Sequence, residues 1–175
     1  KVALPGDAIS QFDYKNIVTI SLRLKEYAWA KNFIHDYKKH LEPAERENAF
    51  LYNFGNWHFY AKEYSQALRL LQKVDLNDVY YQLDTRAIIL KIYYEMDDED
   101  ALFYHVSAFR SFLRRTKLIS DYQRIIYSNL VKYSAKLVRA GINKKKITLV
   151  KSEVEHNRQI ADIQWLQQKI EELEG

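Results

Sequence analysis

The sequence predicts an all-α fold: a solenoid of about three helical hairpins closed by two longer C-terminal helices. Three observations carry that expectation. Only 4 Gly and 2 Pro interrupt 175 residues, which favours long helices joined by short turns. Apolar residues recur at three- and four-residue steps along most of the chain, the period of an amphipathic helix. Finally, Ala30, Ala67 and Ala101 stand early in alternate helices at spacings of 37 and 34 residues. A period of this length, with two helices per unit, is the mark of a helical solenoid.

The elements follow in order. Residues 1–10 hold Pro5 and Gly6 and read as a linker. The repeats are expected over 11–117, as hairpins at 11–43, 48–78 and 82–115. In the first hairpin, Tyr14, Ile17, Val18 and Leu22 form one stripe. A break at Lys25-Glu26 separates it from Tyr27, Ala30, Phe33, Ile34 and Leu41, and Pro43 is expected to end the second helix. In the next, Phe50, Leu51, Phe54 and Trp57 precede Tyr64, Ala67, Leu71 and Val74. In the third, Leu83, Ala87, Leu90, Tyr93 and Tyr94 lead to the run Asp97-Asp98-Glu99-Asp100. Acidic side chains favour a helix N-terminus, so this run reads as a solvated cap. It lacks the ligand spacing of a calcium loop.

Residues 118–175 read as a C-terminal helical cap. Ser120 suits the start of a helix that ends near Gly141, and Asn143 suits the start of a single helix from Lys144 to Leu173.

Composition narrows the function. With no Cys, thiolate catalysis, disulfides and thiolate metal sites are excluded. The formal charge of +4, from 27 basic and 23 acidic side chains, is far weaker and more scattered than a one-faced nucleic-acid surface, which leaves RNA binding a distant third reading. No phosphate-binding Gly-rich loop, His-Glu zinc motif or nucleophile elbow occurs. No apolar run is long enough to span a membrane. A cytoplasmic protein without cofactor or metal is expected, and Lys1 in place of Met reads as the start of a fragment.

A family resemblance rests on Tyr52-Asn53-Phe54-Gly55-Asn56 followed by Tyr64, Ala67, Leu71 and Val74. These resemble a tetratricopeptide repeat, with Gly55 at the small-residue position of the first helix and Ala67 at the alanine of the second. The third hairpin keeps Ala101 and Ala108 but has Ile89 at the glycine position. The first keeps Tyr27 and Ala30 but has Val18 there. The resemblance covers about residues 12–115. Parts of the lettering, among them Lys25-Glu26-Tyr27 and Arg114-Arg115, also resemble the C-terminal part of uncharacterised bacterial tetratricopeptide proteins, which implies no activity.

The resemblance implies a right-handed α–α superhelix whose first helices line a concave groove for an extended peptide or a partner helix. By matching positions, that groove would carry Lys15, Arg23, Tyr52, Asn53, Asn56, Phe59, Tyr60, Arg86, Tyr93 and Tyr94. The pairs Phe59-Tyr60 and Tyr93-Tyr94 recur 34 residues apart and are expected side by side. Tyr and Arg are favoured contact residues. The alternative is that these rings pack against neighbouring helices. Lys15 and Asn53 match a clamp for a peptide carboxylate, but Thr19, Leu83 and Ala87 depart from it, which disfavours that ligand.

The expected function is a non-enzymatic scaffold for an unknown protein or peptide partner. The alternative is a homodimer formed through the C-terminal helix, whose Ile163, Leu166, Ile170 and Leu173 follow coiled-coil spacing.

Overall fold

The computed structural model describes residues 8–175, so most of the expected linker lies outside the described residues. Among these residues the chain forms nine α-helices and no strand. They are α1 Gln11–Arg23, α2 Tyr27–Tyr37, α3 Pro43–Tyr60, α4 Tyr64–Leu71, α5 Val79–Glu95, α6 Glu99–Arg115, α7 Asp121–Ala140, α8 Lys144–His156 and α9 Ile163–Glu174. Helices pack against their neighbours in sequence. The chain divides into two compact units, with the boundary inside α5 after Ile92. In unit 1, α1 packs on α2 and α3, and α3 packs on α4. In unit 2, α6 packs on α7, and α7 packs on both α8 and α9.

Helix starts follow local chemistry. The Ser10 hydroxyl accepts from the Asp13 N–H at 3.0 Å. Ser120 and Gln123 form a reciprocal capping box at the head of α7, and Asn143 Oδ1 accepts from the Lys146 N–H at 3.1 Å. Each bond satisfies an amide that the helix itself leaves unpaired. Pro43 corrects the sequence reading. It opens α3 rather than ending the preceding helix, because the first helical position needs no N–H and suits proline's fixed φ. Helix α2 has already ended at Tyr37, followed by a 3-10 turn over Lys38–His40.

Three turns share one backbone geometry. Lys25, Lys62 and Asp97 take φ of 63°, 60° and 52°. After each, the next amide reaches back five residues: Glu26 to the Ser21 carbonyl at 2.9 Å, Glu63 to that of His58 at 2.9 Å, and Asp98 to that of Tyr93 at 3.1 Å. The left-handed residue itself donates to Leu22, Phe59 and Tyr94 respectively. This is the Schellman closure of a helix C-terminus, and it satisfies carbonyls that the helix leaves open. The sequence carries a trace of it in Lys25-Glu26-Tyr27 and Lys62-Glu63-Tyr64.

These turns reset the repeat register. Measured from the left-handed residue, Gly55 matches Val18 and Leu90, and Ala67 matches Ala30 and Leu102. The expected equivalents Ile89 and Ala101 are each off by one. Burial agrees, since Val18, Leu90, Ala30 and Ala67 are fully buried and Leu102 nearly so, whereas Ala101 is partly exposed. The same slip pairs Phe59 with Tyr94 and leaves Tyr60 opposite Glu95.

At Gly55, α3 and α4 approach closely. A Cβ there would lie 2.8 Å from Leu71 Cγ and 2.9 Å from its Cδ2. Leu71 is itself buried, so it has little room to yield.

The expected single helix from Lys144 to Leu173 is also corrected: it is two helices. The chain leaves α8 at Asn157, whose Oδ1 accepts from the Gln159 N–H at 3.0 Å. It then lies along α7, where the Ala161 N–H donates to the Ile126 carbonyl at 3.0 Å and Asn129 Nδ2 donates to the Gln159 carbonyl at 2.9 Å. Asp162, with φ of 49°, reverses it into α9. Breaking the helix lets its second half fold back and bury Leu166 and Ile170. The C-terminal cap is therefore three helices rather than two.

Gly55→Ala tests the close approach. Alanine should favour an ordinary helix interior by about 1 kcal/mol, but overpacking costs about 1–3 kcal/mol. Urea unfolding should therefore show a net loss of about 1 kcal/mol; a gain would contradict the contact.

Candidate functional site

The residues assigned to the concave groove separate into two groups. In unit 1 most are turned into the protein. Asn53 is fully buried, and Tyr52, Asn56 and Phe59 are 3%, 5% and 9% exposed. Asn53 Nδ2 donates to the Ala49 carbonyl within its own helix at 2.8 Å. Lys15 Nζ lies 2.6 Å from Asp84 Oδ2 and 5.2 Å and 5.4 Å from the rings of Tyr52 and Tyr81. Both rings offer it their electron-rich faces. Lys91 Nζ stands 5.0 Å from the centre of the Phe59 ring. This face of α3 thus contributes to the interior of unit 1. Tyr60 is half-buried, 6.5 Å from the Tyr27 ring, and Arg23 is exposed. Arg86 is half-buried, and its burial lowers the guanidinium pKa.

Tyr93 and Tyr94 belong to unit 2, and they line a cavity of about 400 Å³. The last turn of α5 supplies Tyr93, Tyr94 and Glu95, and the following turn supplies Asp97, Asp98 and Glu99. Leu102 from α6, Leu137 and Val138 from α7 and Leu173 from α9 give it an apolar floor. The Schellman turn builds this arrangement, because it swings Asp97 out of the α5 axis and starts α6 two residues later. Asp98 caps α6, its carboxylate accepting from the Ala101 N–H at 3.0 Å. Asp97, Asp98 and Glu99 are exposed at the rim.

An ion-pair network holds α9 against the end of α5. Lys169 Nζ reaches Glu95 Oε1 at 2.9 Å and Glu172 Oε2 at 2.8 Å. Trp165 Nε1 donates to Glu95 Oε1 at 2.9 Å, and the Trp165 ring meets Tyr94 edge-on at 5.3 Å. Burial alone would lower the Lys169 pKa, but its hydrogen bonds to Glu172 and Glu95 outweigh that and hold it above the ordinary lysine value. Burial pushes the Tyr94 phenol up to about 12; Lys169 opposes the rise, and Glu95 and Glu172 add to it. Lys169 is therefore an ammonium and Tyr94 a neutral phenol at physiological pH.

The cavity can hold an apolar stem in its floor and a cation at its mouth, where five carboxylates surround one already paired ammonium. The sequence reading found Tyr93 and Tyr94 but not Lys169, Val138 or Leu173. The signal available was the run from Asp97 to Asp100. The two other turns of the same geometry carry Lys at the left-handed position, so the turn itself does not require a carboxylate there.

The seam expected for dimer formation is largely used within the unit. Leu166 and Ile170 are buried there, and only Ile163 and Leu173 are partly exposed. Among the described residues no helix is long and apolar enough to cross a membrane.

Lys169→Met should cost roughly 2–3 kcal/mol in urea unfolding, because it leaves Glu95 shielded from water with its ammonium partner gone. The raised pKa sets the sign of the pH dependence. The contribution is complete below the unfolded lysine value and is lost as pH rises through the folded one. The gap between the unaltered chain and Lys169→Met should therefore narrow in alkali, and a gap that widened as pH rose through the lysine range would contradict the ion pair.

Compared with known proteins, the chain matches no protein-family model, no curated protein and no solved structure.

Proposed function

We propose that this chain is a non-enzymatic helical-repeat module that binds a segment of a partner protein, with the cavity of unit 2 as its receptor. The observation that carries this reading is the cavity itself, an apolar floor of about 400 Å³ beneath a charged mouth and beside Tyr93 and Tyr94. Its volume falls in the lower range of ligand clefts, and a few polar groups around an apolar interior are the usual makeup of such a site.

The threefold recurrence of one turn geometry, together with Gly55 at the close approach of α3 and α4, supports grouping the chain with tetratricopeptide-like repeats. The binding site, however, moves. The concave-face residues Tyr52, Asn53, Asn56 and Phe59 are buried, so recognition is assigned to unit 2. The burial of Leu166 and Ile170 disfavours the dimer alternative.

Val138→Trp fills the cavity without adding charge. In affinity capture from native lysate, it should lose the partner recovered by the unaltered chain while the far-UV circular dichroism stays helical. Arg23→Ala, at an exposed position in unit 1, should keep that partner. Retention of the partner by Val138→Trp would sink the assignment.

A further inference from the structure

We infer that the occupant of the unit 2 cavity is an arginine side chain of a basic partner segment; this inference rests on the receptor reading above. The cavity has buried apolar walls, and its exposed lining is mostly acidic, with Ile142 beside the carboxylates. Leu102, Leu137 and Val138 form the floor, and Asp97, Asp98 and Glu99 stand exposed at the mouth. The cation already present does not neutralise that mouth, since Lys169 is engaged by Glu95 and Glu172.

An internal comparison isolates the surplus charge. The turns at Lys25-Glu26 and Lys62-Glu63 achieve the same Schellman closure with one positive and one negative side chain. The turn at Asp97-Asp98 is entirely acidic, and Glu99 follows it. Only Asp98 serves as a side-chain cap. Glu99 stands in the first turn of α6, where negative charge suits the helix dipole; Asp97 neither caps that helix nor belongs to it, yet both line the cavity. The carboxylates do not form a metal-ligand group among the described residues.

A guanidinium fits this arrangement. Its aliphatic stem can lie along apolar walls while its head stays at the water boundary. Its planar fork can donate two hydrogen bonds to one carboxylate. It also stacks on aromatic faces more readily than an ammonium does, and Tyr93 and Tyr94 line the same cavity. A neutral Tyr94 phenol adds no charge and leaves the carboxylates to set the potential. An acidic peptide would meet like charge at the mouth, a repulsion that rejects it.

The test uses the full chain and three acetylated, amidated, fluorescein-labelled octapeptides: alternating Arg and Leu, Lys and Leu, and Glu and Leu. Fluorescence anisotropy should rank Arg above Lys, with no binding by the Glu peptide. Asp97→Asn combined with Glu99→Gln should raise the Kd for the Arg peptide roughly tenfold, about 1.4 kcal/mol, while the far-UV circular dichroism stays helical. Asp100→Asn, outside the cavity lining, should leave that Kd unchanged. Equal binding of the Arg and Glu peptides, or an unchanged Kd in the double variant, overturns the inference. The two readings fail separately. Partner capture that is lost in Val138→Trp but unaffected by Asp97→Asn with Glu99→Gln overturns the arginine assignment and leaves the receptor standing. Capture unaffected by Val138→Trp overturns both.

Discussion

One backbone constraint underlies the repeat. A single residue after each of α1, α3 and α5 must take a left-handed conformation. That conformation is uncommon for side chains other than Gly, Asn and Asp, and Lys25 and Lys62 adopt it nonetheless. What it secures is a two-residue reversal that satisfies the carbonyls of one helix and begins the next. Once the reversal is set, α2 and α4 lie back against α1 and α3. The apolar stripes then face one another, and Val18, Ala30, Ala67 and Leu71 fill the space between. The order of cause runs from turn to hairpin to core. Gly55 is the exception, where the approach is so close that only hydrogen fits opposite Leu71.

Where residue type alone determines structure, the fold was legible. Few breakers and a helical period gave the all-helical class, and Gly55 and Ala67 stood out because small residues mark close packing. Register was harder. The left-handed positions are 37 and 35 residues apart, so a fixed step of 34 from Ala67 reached Ala101 one position short of Leu102. A one-residue shift leaves little trace in an apolar stripe, because neighbouring positions such as Ile88, Ile89 and Leu90 are all buried. The break at Asn157–Asp162 was missed for a related reason. Neither Gly nor Pro marks it, and its hydrogen bonds to α7 come from residues some thirty positions away.

The candidate site was half legible. Tyr93 and Tyr94 were singled out and do line the cavity. Tyr52, Asn53 and Asn56 were placed at the groove by matching repeat positions, yet all three are buried. Lys169 could not have been found from local pattern, since its partner Glu95 is 74 residues away. Its role is to hold the wall of the cavity, and the acidic turn provides the mouth. Structure and proposed recognition therefore meet in the segment from Tyr93 to Glu99. There the repeat keeps the turn's geometry and changes its charge.

The most direct test of this account is the sign of the stability change on placing glycine at the left-handed positions. Glycine adopts positive φ without the steric cost that other residues bear, roughly 1–2 kcal/mol, and this outweighs its extra unfolded-state entropy. Urea unfolding of Lys62→Gly should show a gain of about 0.5–1 kcal/mol. Glycine at the exposed helical position Lys31 should show a loss of about 1 kcal/mol. If Lys62→Gly were as destabilising as Lys31→Gly, residue 62 would not hold a left-handed turn, and the hairpin account would fail.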